Sequence, residues 1–182
     1  GYTFAHPFND EYVIAGQGTI ALEILEQLPD VEQVVVPIGG GGLISGVAYT
    51  IKQLKPDCKV IGVQAATVPS MYESWKAGKI VTVPDGNTIA DGIHVLTPGS
   101  LTFELVEKYV DEVVTVSEDE ICAAILTLLE KSKTVAEGAG ATPVAACLYN
   151  KVDMSKKTVC VVSGGNVDVT TLNRIITKGM IK

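Results

Sequence analysis

Four consecutive glycines, at positions 39–42, separate two apolar segments of different periodicity. Residues 33–37 form a short run rich in valine, which favours a buried strand. Residues 43–54 repeat apolar side chains at helical spacing and favour a helix that begins directly after the glycines. A strand that enters a helix through a short loop is the unit from which parallel α/β sheets are built. This junction therefore constrains the chain to an α/β fold.

The rest of the chain repeats this alternation of strand and helix. Strands are predicted at residues 33–37, 59–64, 112–116 and 158–162, and helices at residues 13–28, 43–54, 69–77, 101–109, 117–131, 139–149 and 168–178. Ser117 and Glu120 form a capping-box pattern at the start of the fifth helix. Residues 81–99 are predicted to form an irregular loop of the kind that often lines a site. The pattern predicts an open parallel sheet of at least four strands with helices on both faces, in one domain.

Charge and composition exclude several classes of partner. The 14 lysines and arginines are outnumbered by 21 aspartates and glutamates, so the net charge of −7 would repel a nucleic acid. No apolar run approaches the roughly 18 residues of a membrane span, and no leader opens the sequence, so a cytoplasmic protein without a membrane segment is expected. The four cysteines lack Cys-x-x-Cys spacing and are expected to be reduced. Because the sequence begins with glycine, it is interpreted as a processed or truncated chain.

The glycine run itself predicts a phosphate-binding loop. Successive backbone N–H groups without side chains can surround an anion, and the positive end of the helix dipole adds to the attraction. The alternative is a tight turn, although such a turn needs only one or two glycines. A dinucleotide fingerprint would need glycine at Ile44 or Ser45, and a P-loop would need Gly-Lys-Ser or Gly-Lys-Thr. A nucleophile elbow fails as well, because Leu43 stands two residues before Ser45.

Two further glycine clusters lie near later strand and helix ends. Residues 163–166 follow the fourth strand at its carboxyl end, the side on which open α/β sheets bind ligands. Alternatively, Ser163 is only a turn or cap residue and Asn166 only a turn residue. Glu137 precedes the glycines and alanines that open the sixth helix, where it is either a pocket carboxylate or a helix cap.

Five motifs in order along the chain resemble the fold-type II pyridoxal-phosphate enzymes, specifically the branch of threonine dehydratases and serine racemases. They are residues 15–19 (Ala-Gly-Gln-Gly-Thr), 39–43, 88–92 (Thr-Ile-Ala-Asp-Gly), 137–141 and 163–166. Residues 116–120 and 173–179 look most like bacterial catabolic threonine ammonia-lyases, including those that continue into an ACT regulatory domain. The resemblance implies the tryptophan synthase β-like fold. It also implies that residues 1–182 are part of the large domain, without the small domain or an ACT domain.

The resemblance implies pyridoxal 5'-phosphate as the cofactor and assigns residues to it. The phosphate would be held by the backbone N–H groups of Gly39, Gly40, Gly41, Gly42 and Leu43. The Ser163 hydroxyl would meet the pyridine nitrogen. A hydroxyl does not force that nitrogen to be protonated, which suits elimination of water from a β-hydroxy amino acid. Asp91, Gly92 and Glu137 are implied to line the pocket.

The activity implied by the resemblance is that of a threonine/serine dehydratase, a lyase that converts L-threonine to 2-oxobutyrate and ammonia in isoleucine biosynthesis or threonine catabolism. The family's Schiff-base lysine lies in a Ser-Phe-Lys-x-Arg-Gly motif, and no lysine of this sequence has that context. The chain therefore contains no catalytic residue of the family and is predicted to be inactive alone. The alternatives are a serine racemase or another β-eliminating enzyme, and a non-catalytic phosphate- or nucleotide-binding module.

The resemblance also bears on partners and metals. It implies a small amino-acid substrate and a homo-oligomer, either a dimer or a tetramer. Related enzymes bind a divalent ion through acids that follow the second strand, but the corresponding positions here are Gln64 and Ser70. Because neither is a carboxylate, no metal is predicted at that place.

Overall fold

The computed structural model describes residues 1–2 and 4–178. Gly179, the last residue of the 173–179 segment that resembles threonine ammonia-lyases, lies outside them. It confirms the α/β class. The helices are α1 (Glu11–Gln27), α2 (Gly42–Leu54), α3 (Ser70–Ala77), α4 (Ser100–Tyr109), α5 (Glu118–Thr127), α6 (Gly138–Leu148) and α7 (Val169–Lys178). The strands are β1 (Gln33–Pro37), β2 (Lys59–Ala65), β3 (Glu112–Val116) and β4 (Thr158–Cys160). Within the described residues, no helix is long and apolar enough to cross a membrane.

The four strands form one parallel sheet in the order β3-β2-β1-β4. Strand β1 lies between β2 and β4, and all five of its residues are buried, as its continuous apolar run requires. In the register, Val35 lies opposite both Ile61 and Cys160. Because the strands are parallel, the loops that follow β1, β2, β3 and β4 all leave from one edge of the sheet.

Alternate side chains of the strands enter two separate cores. On one face Val35, Ile61 and Val63 pack with residues of α5 and α6. On the other face Val34, Val36 and Val60 pack with residues of α1, α2 and α4, including Ala21, Ile44, Ile51 and Val106. This period of two places helices on both faces of the sheet, as predicted.

The boundaries differ from the predictions at a few ends. Strand β4 stops at Cys160 rather than residue 162, since its pairing with β1 ends at Val35, whose carbonyl accepts a last hydrogen bond from Val161 N–H at 3.0 Å. Helix α5 ends at Thr127, and a single π-helical turn, Leu128–Ser132, continues it until Lys133 adopts a left-handed conformation with φ of 56°. The predicted capping box is present, since Glu120 N–H donates to Ser117 Oγ and the Glu120 carboxylate accepts from Ser117 N–H.

The motif at residues 15–19 belongs to a helix crossing and lies apart from the loops at the sheet edge. Gly18 of α1 faces Gly46 of α2, where an added Cβ on Gly18 would lie 2.7 Å from Thr50 Oγ1 and 3.2 Å from the Gly46 carbonyl oxygen. An added Cβ on Gly46 would collide with the Ile14 carbonyl oxygen. The motif therefore allows α1 and α2 to approach at backbone distance.

Candidate functional site

The glycine loop joins the end of β1 to the start of α2 and presents a row of unpaired donors. Within the described part of the chain, the backbone N–H groups of residues 39–44 donate to no acceptor, whereas Ser45 N–H donates to the Gly41 carbonyl at 3.0 Å. Gly41 has φ of +100°, a conformation that turns the backbone sharply into the helix. Free N–H groups at a helix N-terminus form an anion site, since they are donors and the helix dipole is positive there.

Packing also requires glycine in this loop. An added Cβ on Gly40 would collide with the Phe8 ring, and one on Gly42 would lie 2.9 Å from Phe8 Cα. An added Cβ on Gly41 would lie 2.7 Å from Met71 Cε and 2.8 Å from Thr102 Cβ. Glycine is therefore needed at these positions so that the neighbouring segments can pack against the loop.

The four loop motifs predicted to form the site meet at close backbone distance. An added Cβ on Gly39 would lie 3.0 Å from Ile93 Cα, and one on Gly92 would lie 3.2 Å from Glu137 Oε1. An added Cβ on Gly138 would collide with the Ile89 carbonyl oxygen, and one on Gly140 would lie 2.7 Å from the Gly164 carbonyl oxygen. Glycine at each of these contacts thus allows segments that are far apart in sequence to approach one another at one edge of the sheet.

Ser163 lies in the loop that follows β4, the strand next to β1 in the sheet. Val35 of β1 lies opposite Cys160 of β4. Ser163 comes three residues after Cys160, just as Ile38 comes three residues after Val35, directly before the glycine loop. Its side chain is exposed, and its hydroxyl has no hydrogen-bond partner among the described residues. It does not cap α7, because Asp168 Oδ1 accepts from Thr171 N–H at 2.8 Å in that role. The hydroxyl is therefore free to meet a ligand.

Glu137 connects three of the loops. It precedes α6, yet its side chain makes no capping hydrogen bond, so the capping interpretation is wrong. Its Oε2 instead accepts from Asn166 N–H at 3.1 Å, and its own N–H donates to the Gly164 carbonyl at 3.1 Å. Asp91, which is exposed, accepts at Oδ1 from Gly92 N–H at 2.9 Å. Glu137 therefore fixes the loop that carries Ser163.

A cavity of about 370 Å³ lies beside this edge, between the loops, α5 and α7. Asp91, Glu137, Asn166 and Arg174 are among its lining residues, whereas the glycine loop and Ser163 are not. Cys122 also lines it, and burial raises the pKa of its thiol.

Several residues that support the loops were missed by sequence reasoning. Asn9 Oδ1 accepts from Leu101 N–H at 2.9 Å, and Thr102 Oγ1 donates to the Gly40 carbonyl at 2.5 Å. Glu118 Oε2 accepts from Ile89 N–H at 2.8 Å. No local pattern marks these residues, because each acts on a segment remote from it in sequence.

The positions considered for a metal have protein partners. Gln64 Oε1 accepts from Tyr72 N–H at 2.8 Å, and Ser70 Oγ donates to the Val95 carbonyl at 2.5 Å. Among the described residues, no cluster of three or more histidines, cysteines, aspartates or glutamates could hold a metal ion. The absence of a metal here stays a prediction.

Comparisons with known proteins agree on one family. The family described as "Pyridoxal-phosphate dependent enzyme" matches residues 1–165. The chain is 61% identical to an L-threonine ammonia-lyase of Thermotoga maritima over 100% of this chain and 45% of that protein. It is 49% identical to the L-threonine dehydratase catabolic TdcB of Escherichia coli over 96% of this chain and 54% of that protein. The chain thus spans about half the length of the curated relatives it matches.

Solved structures give the same result. The crystal structure of a threonine deaminase from T.th. superposes with a TM-score of 0.89 at 38% identity, covering 92% of this chain and 63% of that one. Maize serine racemase superposes with a TM-score of 0.87 at 40% identity, covering 95% of this chain and 54% of that one. Because the family's sequence pattern matches residues 1–165, which include the glycine loop and Ser163, the chain belongs to the family of pyridoxal-phosphate dependent enzymes.

Proposed function

We propose that this chain is part of the large domain of a threonine dehydratase, a lyase that eliminates water from L-threonine and releases 2-oxobutyrate and ammonia. Two relatives that support this activity carry the names L-threonine ammonia-lyase and L-threonine dehydratase. The observation that carries the proposal is the row of unpaired N–H groups at residues 39–44, at the start of α2. A dianionic phosphate matches both the donors and the positive helix end.

The residues present fit pyridoxal 5'-phosphate. Gly39, Gly40, Gly41, Gly42 and Leu43 would hold the phosphate through their N–H groups, and the unpartnered Ser163 hydroxyl would meet the pyridine nitrogen from the loop after the adjacent strand β4. When bound, this cofactor withdraws electrons from the α-carbon of an amino acid. Because the Ser163 hydroxyl is neutral, it would leave this withdrawal of electrons moderate, which suits loss of the β-hydroxyl from the substrate.

The chain's own residues account for binding and orientation but not for proton removal at the α-carbon. Glu137 holds the Ser163 loop through Asn166 N–H, and Gly92 passes close to its carboxylate. The sequence has no lysine in a Ser-Phe-Lys-x-Arg-Gly context. The base and the covalent anchor would therefore come from sequence outside these residues, and the chain alone is expected to be inactive.

Further features are part of the same proposal. A homo-oligomer, either a dimer or a tetramer, is consistent with exposed apolar side chains such as Leu22, Tyr49 and Leu54, which water would otherwise contact. A cytoplasmic location suits the acidic composition and the amino-acid substrate. The role is in threonine catabolism or isoleucine biosynthesis.

The test of the activity uses the intact protein, meaning this chain with any sequence that continues it. We expect 2-oxobutyrate from L-threonine and pyruvate from L-serine, each measured by reduction of the oxo acid. Formation of D-serine from L-serine without elimination would instead identify a racemase. Cofactor binding without turnover, together with a gene that starts near Gly1 and encodes no Ser-Phe-Lys-x-Arg-Gly, would identify a non-catalytic binding module.

Replacing Ser163 tests the pyridine contact. Ser163→Ala should weaken the binding of pyridoxal phosphate by about fivefold, the effect of one lost hydrogen bond. The midpoint of thermal unfolding should not change, because the hydroxyl has no protein partner among the described residues. Cofactor affinity is measured by fluorescence titration, with Ser132→Ala, also exposed, as the control. Equal affinity of the Ser163 and Ser132 variants would contradict the assignment.

A further inference from the structure

We propose that Thr102, at the start of α4, is a positioning residue that orients the N–H groups of the glycine loop toward the cofactor phosphate. The inference rests on the proposed cofactor-binding function. Thr102 lies outside the five motifs, and its side chain is fully buried. Its role follows from the contacts of its hydroxyl and from the planarity of the peptide bond.

The Thr102 hydroxyl holds a carbonyl of the glycine loop. Thr102 Oγ1 lies 2.5 Å from the Gly40 carbonyl oxygen and 3.1 Å from the Gly99 carbonyl oxygen. In a trans peptide the C=O of one residue and the N–H of the next point in opposite directions. Fixing the Gly40 carbonyl on Thr102 therefore fixes the Gly41 N–H on the side of the loop that faces away from α4.

The next peptide is fixed in the same way by the helix. The Gly41 carbonyl accepts from Ser45 N–H at 3.0 Å, so the Gly42 N–H points out of the N-terminus of α2. The orientation of the preceding peptide, between Gly40 and Gly41, depends on Thr102, because the Gly40 carbonyl has no other partner among the described residues. Without the hydroxyl, the orientation of the Gly41 N–H would rest on packing alone.

Asn9 in turn fixes the position of Thr102. Its Oδ1 accepts from Leu101 N–H at 2.9 Å and from Thr102 N–H at 3.4 Å, at the start of α4. The neighbouring Phe8 packs against Gly40 and Gly42. The segment before α1 and the start of α4 thus close on the loop from two directions, and Thr102 supplies the hydrogen bond to its backbone.

Variants of Thr102 in the intact protein separate this role from general stability. Thr102→Val keeps the shape but removes the donor, and should weaken the binding of both pyridoxal phosphate and inorganic phosphate by about tenfold. Thr102→Ser keeps the hydroxyl and should restore affinity to within about threefold of wild type. Thr102→Cys, a weak donor, should lie between them and provides the comparison if the valine variant does not fold.

Thr142→Val is the matched control. Thr142 is also fully buried, and its Oγ1 donates to the Ala139 carbonyl at 2.9 Å inside α6, away from the glycine loop. It should lower the midpoint of thermal unfolding as Thr102→Val does, but leave both affinities unchanged. Affinities are measured by fluorescence titration, with inorganic phosphate as a competitor.

The outcomes distinguish this inference from the function on which it rests. If wild-type protein binds pyridoxal phosphate and Thr102→Val binds it equally well, only the role of Thr102 is overturned. The same holds if Thr142→Val weakens binding as much as Thr102→Val, or if Thr102→Cys binds as tightly as Thr102→Ser. If the wild-type protein binds neither pyridoxal phosphate nor inorganic phosphate, the proposed function fails and this inference fails with it.

Discussion

Gly41→Ala should lower the affinity for pyridoxal phosphate by at least about tenfold and the free energy of unfolding by about 1–3 kcal/mol. The backbone of Gly41 has φ of +100°, which an alanine rarely adopts. The added methyl group would also lie 2.7 Å from Met71 Cε and 2.8 Å from Thr102 Cβ. To relieve these contacts the loop must shift, and its N–H groups would lose their common direction.

Gly78→Ala is the matched control for this prediction. Gly78 also has a positive φ, of 63°, but an added Cβ there has no atom within 4 Å. Gly78→Ala should lower the free energy of unfolding by about 1 kcal/mol, the effect of the positive φ alone, and should leave the cofactor affinity unchanged. Urea unfolding and fluorescence titration measure the two effects. Cofactor affinity that is equal in the two alanine variants would show that the loop geometry at Gly41 does not matter for binding.

Gly46→Ala should lower the free energy of unfolding by about 3 kcal/mol or more. An added Cβ would collide with the Ile14 carbonyl oxygen and lie 2.6 Å from Gly18 N and 3.0 Å from the Gln17 carbonyl carbon. All three atoms belong to the backbone of α1, so no side-chain rotation can relieve the contact. The two helices would have to separate, and the core that they share with the sheet would open.

Gly16→Ala, in α1, should instead raise the free energy of unfolding. Gly16 is exposed in α1, and an added Cβ has no atom within 4 Å. Alanine is a better helix former than glycine, so this variant should gain about 0.5–1 kcal/mol of unfolding free energy. Urea unfolding of both variants measures the difference. A Gly46→Ala protein as stable as wild type would mean that α1 and α2 do not cross closely at this point.

The local elements were predictable because their signals are local. Valine runs marked the buried strands, and helical spacing marked α2. The capping box at Ser117 and Glu120 is complete within four residues, and the structure confirms it. The end of β4 was less predictable, because its pairing with β1 stops at Val35, before β1 itself ends at Pro37, and that partner is remote in sequence.

The site was predictable only in part. The glycine loop could be predicted to bind an anion from its own residues, because donors and helix dipole both arise at one junction, and this role stays a prediction. Glu137 could not be assigned in the same way, since capping and pocket roles require the same local pattern. The structure excludes the capping role, because the Glu137 carboxylate makes no capping hydrogen bond and instead accepts from Asn166 N–H, which lies 29 positions away.

The sequence by itself determined the α/β class, the glycine loop between β1 and α2, and the family motifs. Only the tertiary structure decided that residues 15–19 form a helix crossing, that Glu137 joins the loops and that Thr102 holds the Gly40 carbonyl. The physical reason is the separation along the sequence of the residues that interact. Periodicity and capping depend on neighbours along the chain, whereas a hydrogen bond such as that from Thr102 to Gly40 spans 62 positions and exists only once the sheet has brought its loops to one edge.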